Sequence, residues 1–302
     1  MNTFRSTTVL AALLLAGAPG AFAAGIFAPA AGQPGSTAIA AGSPLIQGWA
    51  DTLVDYTPGS DVDAGFRTPA KALGEAGNSN GLHAGFTADI VSLGNGGSIT
   101  LAFSQAIGDG PGADFAVFEN SFSDTFLELA WVEVSSDGSN FFRFPAFSLT
   151  PAPVSAFGNI DPTNIEGLAG KYRAGFGTPF DLADLAGTPG LDIGRVTHVR
   201  IVDIVGDGSA ANDLDPGSLA RWLGVPLSEL PPALVALAEA APAAIYDPHR
   251  TVGSGGFDLD AVGVLHYAVV PLPAAAWLFA GGLATLLPLR RRKAQPAGGS
   301  RC

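Results

Sequence analysis

From Ser98 onward, hydrophobic and polar positions alternate in short runs. Ile99, Leu101 and Phe103 are separated by Thr100, Ala102 and Ser104, which predicts a half-buried strand. A Gly-rich loop, Gly108 to Gly112, leads to a second predicted strand, Asp114 to Asn120. Leu127 to Ser135 reads as a third. Ser136-Asp137-Gly138-Ser139 suits a tight turn, and Phe141 to Phe144 returns as a fourth. Val196 to Val205 and Phe257 to Tyr267 complete the set. Between these two, Asp213 to Ala244 has helical spacing, with Asp215 and Ser228 as N-caps, and predicts two short inserted helices. Residues 25–50 read as a lead-in strand and loops, and Asp51 to Gly81 as polar and turn-rich. Short strands joined by long Gly/Pro-bearing loops predict an all-β fold, an antiparallel sandwich of jelly-roll character.

The two ends follow a different pattern. Arg5, the apolar run Val9 to Leu15 and Ala21-Phe22-Ala23 read as a secretory signal peptide over residues 1–23. At the other end, Val270-Pro271-Leu272-Pro273-Ala274 opens an apolar stretch that closes with Arg290-Arg291-Arg292-Lys293. As a helix, residues 273–289 would span about 26 Å, enough for a thin bilayer. The cationic end would stay on the cytoplasmic side. Pro271 and Pro273 would keep the preceding segment extended and open to a processing enzyme. The exported body is then residues 24–269, the size of one large β domain.

Setting the ends aside changes the charge. Of 15 Lys+Arg, six lie in the end segments, so nine face all 27 Asp+Glu and the body carries −18. Such a surface excludes nucleic acid as a partner and favours cations. The only cysteine is Cys302, so the body would be held by its core, with or without a metal, and by no disulfide.

The VPLPA motif, apolar span and basic cluster resemble the PEP-CTERM sorting signal. The resemblance implies that an exosortase in the inner membrane cleaves near the motif. The protein would then pass to the envelope or extracellular matrix of a Gram-negative bacterium that makes exopolysaccharide. The body is more weakly similar to bacterial cell-surface proteins with galactose-binding-like jelly rolls, through Asp114 to Asn120, Glu128 to Phe144, Asn164 to Leu182 and Gly255 to Val264. That likeness implies a carbohydrate-binding or adhesive role with a structural calcium. It implies no particular sugar.

Several carboxylates fall on apolar faces. Asp203 follows Val199 and Ile201 in alternation, and Glu119 follows Phe115 and Val117. Asp258 and Asp260 are expected to share a face with Val262 and Val264. A buried carboxylate costs several kcal/mol unless it is paired or coordinated. Calcium takes six to eight oxygens, which Glu119, Asn120, Asp203, Asp258 and Asp260 could supply. The alternative is that backbone N–H groups, or Arg200 and Arg250, satisfy these side chains.

Lys171 to Gly177 reads as an exposed loop, offering Tyr172, Arg173 and Phe176 to a ligand such as a sugar ring. Trp131 shares a face with Leu127 and Leu129 and is expected in the core. His83, His198, His249 and His266 have no zinc-like spacing. Neither a Gly-x-Ser-x-Gly elbow nor a phosphate-cradling loop occurs. The reading is a non-catalytic, exopolysaccharide-associated module. Its rivals are a polysaccharide hydrolase or lyase, whose paired carboxylates leave no mark in sequence, and a ligand-free matrix protein.

Overall fold

The computed structural model describes residues 25–77, 89–206, 245–248 and 253–269, with Ser228, Pro232 and Val235 as isolated positions. The signal peptide, the VPLPA motif, the apolar span 273–289 and the basic cluster Arg290 to Lys293 lie outside these residues. So do His83, His249, Arg250 and nearly all of the predicted helical insertion, within which Pro232 and Val235 are helical. Among the described residues no helix is long and apolar enough to cross a membrane. The chain separates into two units, Met1–Ala268 and Val269–Cys302, and every strand described lies in the first.

The body is built of antiparallel sheets. One contains β1 (Ile39–Ala40), β2 (Gly48–Trp49), β4 (Val91–Ser92), β6 (Phe115–Glu119), β11 (Phe176–Phe180) and β13 (Asp258–Val264). Its order is β1-β11-β6-β13-β2, with β4 also on β13. The other runs from β3 (Thr52–Thr57) through β5 (Ser98–Ile107), β12 (Val196–Asp203) and β7 (Ala130–Ser135) to β8 (Phe142–Arg143). A small ribbon pairs β9 (Phe147–Ser148) with β10 (Ile165–Glu166).

The main core joins the two large sheets face to face. Ile99, Leu101, Val132, Val134, Val199 and Ile201 from one meet Phe115, Val117, Phe180, Leu259, Val262 and Val264 from the other. This is the predicted sandwich. Both sheets are also covered on their outer faces. Ala116, Phe118 and Ala261 pack with Ala41, Ala76 and Leu265, while Leu127, Leu129 and Trp131 pack with Ile160, Ile165 and Leu168. Trp131 is therefore core, as its alternation indicated. Burial on both faces leaves β6, β7 and β13 buried at every position.

Two segments differ from expectation. Asp51 to Gly81 contains a real strand, β3, paired with β5. It reads as polar because it is an edge strand, with four of its six residues exposed. Phe176 to Phe180 is also a strand, despite Gly177 and Pro179. Its outer neighbour β1 pairs only with Phe176 and Gly177, so the missing N–H of Pro179 costs no ladder bond on that side. Gly177 is required because a Cβ there would lie 2.8 Å from the Phe118 ring.

Candidate functional site: a buried carboxylate cluster

The inward rows of both sheets end in acids on the same side of the sandwich. Glu119 closes β6 after Phe115 and Val117, and Asp203 closes β12 after Val199 and Ile201. Asp258 opens β13, whose Leu259 lies opposite Glu119. Two loop residues join them, Glu128 just before β7 and Asp247. All five are buried, none more than 8% exposed.

Backbone N–H groups aim three of the five, and a serine hydroxyl holds a fourth. Asp203 accepts from Gly96 N with one oxygen and from Phe257 N with the other, both at 2.8 Å. Glu119 accepts from Ser121 N at 2.7 Å, and also from the N–H of Asn120. Asp247 accepts from Leu129 N at 2.6 Å. Asp258 accepts from the Ser92 hydroxyl. Gly256, at φ +72°, lets the chain pass beside Asp203, where a Cβ would sit 2.6 Å from its carboxylate. Glu128 differs. Among the described residues its side chain has no hydrogen bond, and the charges it meets are those of other carboxylates.

The electrostatics follow from burial and like charge. Burial pushes Asp203 and Asp258 up to about 7, with repulsion from Asp258 adding to the rise at Asp203. Glu119, Glu128 and Asp247 are raised well above the ordinary carboxylate range, first by burial and then by the neighbouring acids. Among the described residues no cationic side chain pairs with any of the five. Arg200, the expected partner, pairs instead with Glu133 at 2.5 Å, and Arg143 holds the other oxygen of Glu133 at 2.8 Å. Backbone N–H groups thus supply part of the compensation, and this arginine supplies none.

The other expected ligands are placed differently. A bulge between Leu259 and Ala261 reverses the facing of β13. Leu259, Val262 and Val264 point into the main core while Ala261 packs outside, so Asp258 and Asp260 do not share a face with the valines. Asp260 is 1% exposed and its carboxylate accepts from Gly77 N at 2.8 Å, beside Ala76 of the outer layer. Asn120 is 6% exposed and serves the cluster through its N–H to Glu119.

Sequence reasoning missed Glu128 and Asp247. Glu128 did carry a signal, since it alternates with Ala130, Val132 and Val134 on the face that proves to be the main core. Asp247, in Tyr246-Asp247-Pro248, has no periodic neighbours to announce it.

Tyr172 corrects the ligand-loop expectation. It is 1% exposed, and its hydroxyl bonds Thr37 Oγ1 at 2.8 Å. Lys171 is buried against Glu166 at 2.5 Å. Arg173 pairs with Asp124 and lies over the ring of Phe176, 4.7 Å from its centroid. Lys171 and Tyr172 are thus buried and Arg173 and Phe176 half-buried, because the strand that begins at Phe176 carries the segment into the fold. Tyr172→Ala is expected to cost about 3–5 kcal/mol in chemical unfolding, as for other buried aromatics. Tyr172→Phe, which loses only the hydroxyl's bonds to Thr37 and Ser36, should cost about 1 kcal/mol.

Exposed rings occur elsewhere. Phe122 and Phe157, 47% and 68% exposed, flank Phe126 in a stack with centroid separations of 5.2 and 5.7 Å. Two of the three belong to the loop between Glu119 and Glu128. A second acidic group, Asp109, Asp114 and Asp181, brings three oxygens within 4.8 Å of one another. Its buried member, Asp114, is already held by Gly110 N, Leu182 N and His266 Nδ1. No protein-family model matches the chain, and no curated protein matches it.

Proposed function

We propose that this chain is an exported envelope or matrix module without catalytic activity, completed by a hard divalent cation, calcium by class, at the buried carboxylate cluster. The observation that carries the cation is Glu128: a carboxylate 8% exposed, without a hydrogen bond among the described residues, beside four other buried acids. Five such groups repel one another unless protonated or coordinated, and oxygen donors of this kind suit calcium. Their burial also favours a structural role, because a substrate would have to reach groups that solvent barely touches. Delivery rests on the sequence: the signal peptide and the PEP-CTERM-like end, with an exosortase-type enzyme as processing partner and the inner membrane as a transient station. The jelly-roll connectivity belongs to the same proposal.

The cation is tested by melting at pH 8. Calcium at about 100 times its dissociation constant should contribute about 2.7 kcal/mol, and chelator should remove it. For a body of this size that corresponds to about 5–10 °C. Equal melting temperatures with calcium and with chelator overturn the cation. Intact-mass measurement of the secreted protein tests delivery, with loss of Arg290 to Lys293 as the expected result.

Association with exopolysaccharide is supported by the exposed rings of Phe122 and Phe157, stacked on buried Phe126, which replace Tyr172, Arg173 and Phe176 as the surface for sugar rings. Replacing Phe122 and Phe157 together by Ser should lower retention on exopolysaccharide severalfold with little change in melting temperature. Unchanged retention removes this surface from the proposal.

A further inference from the structure

The outer face of the second sheet carries, at its β8 edge, a charged row that neither the carboxylate cluster nor the exposed phenylalanines use. Pairing sets Arg143 opposite Glu133 and Glu133 opposite Arg200, so the three stand side by side across β8, β7 and β12. Glu133 is buried and divides its two oxygens between the arginines. Oε1 accepts from Arg143 Nε at 2.9 Å and Nη2 at 2.8 Å; Oε2 accepts from Arg200 Nε at 2.7 Å and Nη2 at 2.5 Å. One negative charge thus serves two positive ones, and the row keeps a positive surplus. The surplus stands out in so acidic a body, of whose nine Lys+Arg these are two.

Both guanidinium groups are also held from a second direction. Arg143 lies over the Trp131 ring, 4.7 Å from its centroid, and Arg200 over Phe141 at 3.9 Å. Ion pair and ring together fix each planar group, which lowers the cost of ordering it around a ligand. They do not cover it: the two side chains are 43% and 35% exposed. Each arginine meets Glu133 only with the edge formed by Nε and Nη2. Among the described residues, Nη1 of neither has a hydrogen-bond partner, so donors remain on both for a ligand.

Two preset guanidinium groups beside one another suit a carboxylate, whose bonds to Arg are stronger than those of a neutral hydroxyl. We infer that this face binds acid-bearing sugars, uronate residues of a polysaccharide, with the sugar carboxylate received by Arg143 and Arg200. This rests on the exopolysaccharide reading above and adds a charge class and a second contact surface. Phe141 under Arg200 and His198 edge-on to it, both half-buried, border the site and give a sugar ring flat neighbours. The body's overall charge repels a dense polyanion, so the fit is to a chain whose acids are spaced along it. At physiological salt, exposed charges more than about 8 Å away are largely screened, and the positive surplus of the row decides.

Calorimetric titration settles it. Hexamers of glucuronate and of galacturonate, each beside its methyl ester, are titrated into the purified full-length chain without added calcium, so that calcium does not bridge ligand to the acidic body. The acid is expected to bind at least about tenfold more tightly than its ester, with an affinity that falls as salt rises. R143Q and R200Q, each of which leaves Glu133 one arginine, should weaken acid binding about tenfold and leave ester binding unchanged. F122S/F157S should keep the preference for the acid. Equal binding of acid and ester, acid binding unchanged in either arginine variant, or loss of the preference in F122S/F157S overturns the site and leaves exopolysaccharide association standing. A glutamate hexamer bound as tightly as the uronates overturns the sugar class. No binding of any hexamer overturns the inference, and the exopolysaccharide reading falls with it only if retention on whole exopolysaccharide is also absent. Should R143Q or R200Q not fold, R143K and R200K, which keep the charge and lose the planar fork, replace them and should still weaken acid binding.

Discussion

Glu128→Gln is expected to stabilise the chelator-treated protein at pH 8 and, in the same molecule, to weaken or abolish its response to calcium. Substitutions of buried residues usually destabilise, so the direction is diagnostic. Gln matches Glu in shape, and the Glu128 carboxylate gives up no hydrogen bond among the described residues. What the change removes is one charge from a buried group of five. Each unit by which burial and like charge raise a carboxyl corresponds to about 1.4 kcal/mol at a pH where it must ionise. Each kcal/mol shifts the melting point of a body this size by about 2–4 °C. A rise of a few degrees in chelator is the expected result, with the order reversed in calcium. Had Glu128 an ordinary packing role, the variant would melt lower under both conditions.

Stability of the metal-free protein should fall as pH rises from about 4 through about 7. Asp203 and Asp258 hold their protons to about 7 in the folded chain, whereas unfolded aspartates release theirs near 3.8. Between those values the folded state binds more protons than the unfolded state, so unfolding becomes easier with each step in pH. The stability contributed by protonation is full below about 4 and is lost as pH passes through 7. The five acids titrate as a group, so the loss should total several kcal/mol without dividing neatly among residues. Saturating calcium competes with the protons and should remove the decline. Urea unfolding at pH 5, 6, 7 and 8, in calcium and in chelator, measures both curves. A metal-free curve that rises with pH would mean that cations of the chain itself already pair with these acids.

How much of this the sequence revealed depends on the faces of the strands. Where one face is apolar and the row ends in an acid, as with Val199-Ile201-Asp203 and Phe115-Val117-Glu119, alternation pointed straight at the site. It misplaced Asp260 because one extra residue at the β13 bulge reverses every later side chain, and no composition rule marks where a bulge falls. Glu128 was visible in line with the core face of β7, just before it, but stood beside Leu127 and Leu129, whose own burial suggested the opposite orientation. Asp247 reaches the cluster from a loop, through a tertiary contact with Leu129 N, and leaves no local signature. Strands with Gly177 and Pro179, or with the exposed residues of Thr52–Thr57, lacked the usual pattern because they lie near the edges of their sheets.

The central claim, that a divalent cation sits among the five buried acids, is tested most directly by anomalous diffraction from crystals grown with manganese in place of calcium. The account predicts an anomalous peak at the cluster, within reach of Glu128. Well-ordered crystals with peaks only at Asp109, Asp114 and Asp181, or with none, would contradict it.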